Sequence, residues 1–373
     1  MTNRPYIFIS PSKYVQGAGA VLELGVHVRP LGVNALVIGG KTGLAVTREG
    51  RERSFREHGI RQTEAPFGGE SSDAEIARLT RLARAELCDV VIACGGGKAI
   101  DTAKAVADAA GLPVAIVPTV ASNDSPCSAL SVIYRDDGSF DRIQTFKRNP
   151  DLVLVDTAVI ARSPVRQLVS GMGDALATWY EARACLRSGA LNVSGGAVTL
   201  TAAALARLCR DTLFENGPDA VAACRDNVVT PALDRVVEAN TLLSGLGFES
   251  AGVALAHALS EAFSCMPCMH AYTHGEKVAF GLLVQLVLEG VPEDELGSVY
   301  SFCREVGLPT TLAELGADGA DAISLRIVAE TAAEPGRPSG NLPFPVTADS
   351  ILQAMTEADA FGRTLAGVHN DGV

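Results

Sequence analysis

Three of the chain's six histidines, His257, His270 and His274, fall within eighteen residues of one another. The apolar spacing of Ala251–Phe263 predicts a helix that carries His257, and a second helix is predicted to begin near His274. Two histidines on neighbouring helices can converge on one ion, and Asp174, which we expect to open the first helix of a helical region, supplies a carboxylate. One oxygen and two imidazole nitrogens suit Zn²⁺ and leave a position for substrate, and they also suit Fe²⁺.

Each of these residues also has an ordinary structural interpretation. Asp174 can be an N-cap, His257 a hydrogen-bonded core histidine, and His270 and His274 polar loop residues. The segment Cys265–Cys268 has CxxC spacing, but without a second CxxC it favours incidental thiols over a zinc site. The spacing alone therefore leaves both interpretations open.

A second group of residues combines a strand, a glycine turn and a helix. Asp89–Cys94 predicts a strand that runs into Gly95–Gly97 and Lys98, and Ala99–Ala110 predicts a helix. Consecutive glycines let backbone N–H groups approach a pyrophosphate closely, and the positive end of the helix dipole adds attraction. The pattern predicts a dinucleotide phosphate site; a tight turn without a ligand, with Lys98 merely solvated, is the alternative.

A different turn bears on whether the cofactor carries a 2′-phosphate on its adenosine ribose. Dinucleotide sites for NAD place an Asp or Glu at a strand end to accept the adenosine ribose hydroxyls. After the predicted strand Ala35–Ile38 this chain has Gly40 and Lys41 instead. A 2′-phosphate would be tolerated there, so NADP is an alternative to NAD unless Lys41 simply faces solvent.

These residues need a scaffold, and the sequence predicts two domains. The first, 1–162, alternates strands with helices and is predicted to be a Rossmann-like α/β dinucleotide-binding domain with a parallel sheet. Its predicted strands are Ala35–Ile38, Val90–Cys94, Val114–Pro118 and Leu152–Val155, and its early helices are Arg48–His58 and Ala74–Glu86.

The second predicted domain, 163–373, is all-α and is expected to bind the metal and substrate. Its helical patterns include Gly173–Leu186, Ala197–Leu213 and Val229–Leu246, and Glu334–Pro345 is expected to be a surface loop. Open α/β sheets bind ligands beyond the carboxyl ends of their strands, so the active site is expected in the cleft between the two halves.

Composition narrows the classes of partner. The net charge of −12 disfavours nucleic acid and anionic membranes as partners. No signal peptide or membrane span is recognisable, so we expect a cytoplasmic protein. Nine cysteines, an odd number scattered along the chain, are expected to be reduced thiols.

Taken together, the motifs resemble the glycerol dehydrogenase branch of the iron-containing alcohol dehydrogenase family, whose fold is related to that of dehydroquinate synthase. The resemblance covers about nine-tenths of the chain and rests on the segments Ile9–Gly17, Gly95–Ala107, Pro118–Tyr134, Asn149–Asp156, Asp174–Trp179, Glu238–Ser250 and Thr273–Gly281.

The resemblance implies that Asp174, His257 and His274 are the zinc ligands, that Asp124 hydrogen-bonds a polyol, and that His270 lies beside the metal. It implies an NAD-dependent oxidation of glycerol to dihydroxyacetone in a homo-oligomer, often an octamer. A Lewis-acid ion would favour loss of the alcohol proton while hydride passes to nicotinamide. The implied cofactor-site residues are Gly95, Gly96, Gly97, Lys98, Thr119, Ser122, Ser128, Leu130 and Tyr134, to which we add Gly40, Lys41 and Asp101.

Two departures from the family pattern keep other functions open. NAD-using members usually carry Asp where this chain has Gly40, and the loop Cys265–His270 differs from the family pattern beside His274. Another small polyol or NADP is therefore an alternative. A dehydroquinate synthase-like lyase and a non-catalytic nucleotide-binding protein are rival hypotheses.

Overall fold

A computed structural model describes residues 4–319 and 322–368. The chain forms two compact units. The sheet unit comprises Ile9–Leu168 and Asp219–Gly245, and the helical unit comprises, over their described residues, Met1–Phe8, Val169–Pro218 and Leu246–Val373. The division into 1–162 and 163–373 stays a prediction; the units differ from it because helical periodicity does not reveal which core a helix joins.

The sheet unit contains two sheets. The strands, in chain order, are β1 Tyr14–Gly17, β2 Asn34–Gly39, β3 Arg61–Pro66, β4 Val90–Gly95, β5 Val114–Pro118, β6 Leu130–Tyr134, β7 Phe140–Thr145 and β8 Leu152–Asp156. Six of them form a sheet in the order β1-β8-β5-β4-β2-β3, and every neighbouring pair is parallel. Strands β6 and β7 form an antiparallel hairpin.

Burial explains which strands the sequence reveals. All residues of β2, β4, β5 and β8 are buried, and these four strands match the Val- and Ile-rich runs that predicted them. The edge strand β3 is largely polar and partly exposed, and its sequence carries no buried-strand pattern. The predicted parallel sheet with a helical remainder is confirmed.

Both units contain helices. They are α1 Leu24–Val28, α2 Lys41–His58, α3 Asp73–Ala85, α4 Gly97–Ala110, α5 Thr157–Ile160, α6 Val165–Ser188, α7 Leu200–Arg225, α8 Pro231–Glu238, α9 Ser244–Ala251, α10 Leu255–Ala262, α11 His274–Glu289, α12 Glu293–Val306, α13 Ala322–Ala332 and α14 Ala348–Val368. A π-helical turn, Ala239–Leu243, joins α8 to α9.

Several predicted helix boundaries are wrong. Helix α2 begins at Lys41 and not at Arg48, since Gly40 takes the N-cap position. The predicted helix Ala251–Phe263 is interrupted, because Gly252 adopts a positive φ of 95° between α9 and α10. The stretch Glu334–Pro345 does lie between α13 and α14, with a 3-10 turn at Pro338–Asn341.

Among the described residues, no single helix has both the length and the apolar character needed to cross a membrane. One bent pair, Pro231–Ala251 with Leu255–Cys265, meets both criteria when its two members are taken together.

Candidate active site

Asp174 lies inside α6 and not at its start. The helix begins at Val165, so Asp174 is more than two turns from the N-terminus and the prediction that it opens or caps the helix is wrong. Its side chain is fully buried. Since buried carboxylates require a compensating partner, its position inside the helical unit itself indicates a cation or a hydrogen-bonded network.

Glycines let the two elements that carry Asp174 and His274 approach each other. A Cβ at Gly173 would lie 2.3 Å from the carbonyl oxygen of Gly275, and a Cβ at Gly275 would lie 1.7 Å from that of Ser170. Such backbone contact between α6 and α11 is open to glycine alone. The two side chains next to these glycines are thereby brought together.

The structure brings Asp174, His257 and His274 together. One ligand atom from each lies within 4.8 Å of the others. The Asp174 Oδ1 atom is 3.4 Å from His257 Nε2 and 3.2 Å from His274 Nε2. Ligand atoms bonded at 2.0–2.1 Å to a tetrahedral ion lie about 3.3 Å apart, so these separations fit a metal ion of that size.

The electrostatics of the cluster favour a cation. Burial opposes ionisation of Asp174, but the imidazoles of His274 and His257 outweigh it and hold the pKa of this carboxyl below its usual range. Burial also opposes charge on His257, yet the carboxylates of Glu181 and Asp174 raise its pKa well above 6.5. The carboxylates of Asp174 and Glu181 therefore stabilise positive charge at His257.

The two histidines are held by different partners. His257 Nδ1 lies 2.5 Å from Glu181 Oε2, a carboxylate that is itself buried. His274 Nδ1 lies 3.3 Å from the hydroxyl of Ser260, and the His274 side chain is 45% exposed. The cluster is accordingly buried on the His257 side and accessible on the His274 side.

The remaining predicted residues of this region are not among the three that form the cluster. His270 Nε2 lies 3.0 Å from the carbonyl oxygen of Ser264, and His270 is exposed. Cys265 and Cys268 are exposed free thiols in the turns between α10 and α11. Within the described ranges 4–319 and 322–368, the one group of three or more His, Cys, Asp or Glu side chains placed to hold a metal is Asp174, His257 and His274.

The glycine turn joins β4 to α4 as predicted. Gly95 ends the strand, Gly96 is the N-cap of α4, and Gly97 is the first helical residue. A Cβ at Gly97 would lie 2.5 Å from Asn123 Nδ2. The turn therefore presents backbone N–H groups at a helix N-terminus, the arrangement that binds phosphate.

Asp124 is held in the sheet unit by a residue that the sequence reasoning missed. Its Oδ2 accepts a hydrogen bond from Ser244 Oγ at 3.1 Å, and both side chains are buried. A Cβ on the next residue, Gly245, would lie 3.1 Å from the Asp124 carbonyl oxygen. Asp124 and Ser244 are 120 residues apart, and no spacing pattern in the sequence connects them.

Comparison with known proteins shows the family of this chain. Residues 11–157 match the family model for iron-containing alcohol dehydrogenase. A glycerol dehydrogenase from Escherichia coli O6:H1 is 50% identical over 357 residues, 96% of this chain and 97% of its own. A glycolaldehyde reductase from Halobacterium salinarum is 43% identical over 96% of this chain and 98% of its own. This chain belongs to the iron-containing alcohol dehydrogenase family.

A solved structure supports the same assignment. The glycerol dehydrogenase from Schizosaccharomyces pombe superposes with a TM-score of 0.94 at 36% identity, and the match covers 99% of this chain and 94% of that one. The predicted family and fold are confirmed. The family model ends at residue 157, so the metal-ligand candidates lie outside it and within the full-length matches.

The predicted cofactor residues of this family member differ in their surroundings. Lys98 pairs with Glu70 at 2.6 Å, and its Nζ lies 4.8 Å from the centre of the Tyr134 ring. Thr119 donates its backbone N–H to Gly95 O at 3.0 Å, which ties β5 to the glycine turn. Ser122 follows β5 in a partly exposed loop. That these residues line a cofactor site stays a prediction.

Three other predicted residues surround a buried lysine that the sequence reasoning missed. Lys104 Nζ donates to the carbonyl oxygen of Ser125, to Ser128 Oγ and to the carbonyl oxygen of Leu130, and it pairs with Asp101 at 3.1 Å. Lys104 and Asp101 lie one helical turn apart on α4. Their contacts hold the segment between β5 and β6 against α4, so Asp101 has a structural partner inside the protein.

Proposed function

We propose that this chain is a metal-dependent polyol dehydrogenase that oxidises glycerol with NAD⁺ to dihydroxyacetone and NADH. The observation that carries the proposal is the cluster of Asp174, His257 and His274, whose donor atoms have the spacing of a metal site. The names of several relatives, including two that are 50% identical to this chain, support glycerol as the substrate.

The three side chains would hold a divalent ion through one carboxylate oxygen and two imidazole nitrogens. We propose Zn²⁺, with Fe²⁺ as the alternative that metal analysis decides. The bound ion supplies Lewis-acid chemistry, which favours loss of an alcohol proton. The exposed side of His274 leaves the substrate a direction of approach.

Other groups of the protein would bind and orient the substrate and the dinucleotide. The alcohol loses its hydroxyl proton to solvent and a hydride from the carbon that bears this hydroxyl, and the hydride reduces the nicotinamide ring of NAD⁺ to NADH. We propose that the turn Gly95–Gly97 binds the dinucleotide pyrophosphate through backbone N–H groups. We propose that Asp124 accepts a hydrogen bond from a polyol hydroxyl, held in orientation by Ser244.

The identity of the dinucleotide rests on Gly40 and Lys41. Gly40 has an extended conformation at the N-cap of α2, and among the described residues, its two chain neighbours aside, no atom lies within 4 Å of where its Cβ would be. Position 40 therefore offers no carboxylate that could accept hydrogen bonds from ribose hydroxyls, and the described residues place no steric barrier to a 2′-phosphate beside it. We propose NAD as the cofactor, from the family resemblance, with NADP as the alternative.

A second substrate class follows from one relative. The chain is 43% identical to a protein named glycolaldehyde reductase, so a small hydroxyaldehyde is the alternative substrate of the same site. We further propose a homo-oligomer, from the family resemblance, which the mass in solution by light scattering tests.

The experiment that tests the proposal is the absorbance of reduced nicotinamide in a mixture of zinc-loaded protein, glycerol and NAD⁺ or NADP⁺. We expect absorbance to rise with glycerol, to stop after chelation, and to recover when metal returns. Activity that survives complete metal removal would contradict the proposal. Turnover without net NADH release would favour the dehydroquinate synthase-like lyase.

A further inference from the structure

Glu181 is a buried carboxylate in contact with a metal-ligand candidate. It lies seven residues after Asp174 on α6, which is about two helical turns, so both side chains project from one face of the helix. Its exposure is 0%. A carboxylate this deeply buried is costly unless every oxygen has partners, and its partners show what it does.

One oxygen of Glu181 closes the first turn of α10. Helix α10 starts after the break at Gly252, and its N-cap residue, Ala254, has no side chain that can accept a hydrogen bond. Glu181 Oε1 accepts instead the N–H of Ala254 at 2.7 Å and that of His257 at 3.1 Å. A carboxylate from another helix thus does the work of a local capping side chain.

The other oxygen of Glu181 faces the imidazole of the same residue. Its Oε2 is 2.5 Å from His257 Nδ1. An ionised carboxylate only accepts hydrogen bonds, so Nδ1 must carry the proton. The lone pair of the neutral ring is then on Nε2, the nitrogen that lies 3.4 Å from Asp174 Oδ1.

We propose that Glu181 is the positioning residue of the metal site: with one carboxylate it fixes the helical turn that carries His257 and the tautomer in which His257 can bind a metal. The proposal rests on the proposed function, because it concerns the same site. Metal-binding histidines commonly donate their second ring N–H to a carboxylate, and loss of that partner costs about 10–100-fold in metal affinity.

The other ligand histidine gives an internal contrast. The hydroxyl of Ser260, 3.3 Å from His274 Nδ1, can donate or accept and does not impose one tautomer. His274 is instead placed by the start of α11, where Thr273 and Glu276 form a capping box. We therefore expect removal of the Ser260 hydroxyl to weaken metal binding much less than a change at Glu181.

The test is the affinity of the purified full-length chain for Zn²⁺, measured by competition with a chromophoric chelator. Glu181→Gln keeps the shape of the side chain and an oxygen that accepts the two backbone N–H groups. Its amide N–H₂ would instead donate to His257 Nδ1, which then carries no proton, so His257 takes the other tautomer, with the proton on Nε2. We expect Glu181→Gln to bind Zn²⁺ about 10–100-fold more weakly than the unmodified chain, and Ser260→Ala to lose less than about threefold.

Glu314→Gln is the matched control. The Glu314 carboxylate accepts the N–H groups of Thr310 and Thr311 in the same unit, at 2.6 and 3.2 Å, so it is also a capping carboxylate. We expect its substitution to leave Zn²⁺ affinity unchanged. Circular dichroism of the metal-free variants confirms that each one is folded.

The outcomes separate this proposal from the proposed function. If the unmodified chain binds no metal, both fall. If it binds Zn²⁺ and folded Glu181→Gln binds equally well, the positioning role alone is overturned, whatever the variant's thermal stability. If Glu181→Gln does not fold, ¹⁵N NMR of the unmodified chain loaded with Zn²⁺ decides: the proposal expects a proton on His257 Nδ1 with the metal on Nε2, and a proton on Nε2 with the metal on Nδ1 overturns it.

Discussion

The metal-ligand cluster and the glycine turn are built in opposite ways. At the cluster, side chains from three helices supply the chemistry, and buried partners such as Glu181 hold them. At the glycine turn the backbone supplies the chemistry, and Gly95–Gly97 contribute by having no side chain. A site built from side chains depends on which residues are present. A site built from backbone N–H groups depends on how closely a ligand can approach the backbone.

The largest expected effect is at the cluster. Asp174→Asn keeps the shape of the side chain but removes the charge that stabilises a cation, so metal content and turnover should fall together. Loss of several kcal/mol of transition-state stabilisation corresponds to a rate reduction of about 10³-fold or more. Metal analysis and NADH formation on the same sample measure both quantities.

The exposed Asp211→Asn on α7 is the control for that change, and it should keep its metal and its activity. Retention of turnover by Asp174→Asn would remove the cluster from the mechanism.

Glycine substitutions in the two regions sharpen the contrast. A Cβ at Gly275 would meet Ser170 O at 1.7 Å, and one at Gly43 would meet Cys94 O at 2.3 Å. Both Gly275→Ala and Gly43→Ala should lower stability by about 1–3 kcal/mol, the usual cost of overpacking. Gly275→Ala should also weaken metal binding, because it pushes α11 and His274 away from α6.

Gly43→Ala, in contrast, should leave metal affinity unchanged. Thermal unfolding and the chelator competition together distinguish the two variants. Gly40→Ala is the control for stability, since its Cβ would meet no atom within 4 Å in the part of the chain that the structure describes, its two chain neighbours aside. Equal metal affinity in Gly275→Ala and Gly43→Ala would show that the close approach of α6 and α11 does not shape the cluster.

A smaller effect is expected at residue 40, where a new side chain should change the preference between NAD and NADP. Gly40→Asp would place a carboxylate at an open N-cap, where Asp is a favoured residue. The carboxylate would accept hydrogen bonds from the ribose hydroxyls of NAD and repel the 2′-phosphate of NADP. The ratio of kcat/KM for NAD to kcat/KM for NADP should therefore rise about tenfold or more. An unchanged ratio would place the adenosine ribose elsewhere.

The smallest expected effect concerns the thiols of the two regions. Cys94 lies on β4 directly before the glycine turn, and burial raises the pKa of its thiol. Cys265 and Cys268, between the two ligand histidines, are exposed. Ellman's reagent should therefore modify Cys265 and Cys268 within minutes in the folded protein and reach Cys94 only after unfolding. Mass spectrometry identifies the modified residues, and early modification of Cys94 would contradict its burial.

Sequence reasoning succeeded where one residue type carries the signal. Val- and Ile-rich runs predicted the fully buried strands β2, β4, β5 and β8, and the scarcity of histidine made His257 and His274 conspicuous. It did not find β3, whose polar residues suit an exposed edge. Periodicity also placed the start of α6 too late, although Ser163 and Pro164, directly before Val165, are residues typical of a helix start.

Residues that act through long-range contacts were missed for a different reason. In the sequence Lys104 is one polar residue of a helix, and only the structure shows that its amine donates to a carbonyl oxygen of β6. Ser244 is far in sequence from Asp124, to which it donates a hydrogen bond. Glu181 did offer a signal, since seven residues from Asp174 is the spacing of one helix face. That signal becomes specific only once the start of α10 is known to need a partner.

The most direct measurement of the central claim is an anomalous difference map from crystals of the full-length protein grown with Zn²⁺, recorded at the zinc absorption edge. The account predicts one strong peak per chain, bonded to a carboxylate oxygen of Asp174 and to Nε2 of both His257 and His274. A peak held instead by Cys265 and Cys268, or none near Asp174, would contradict it.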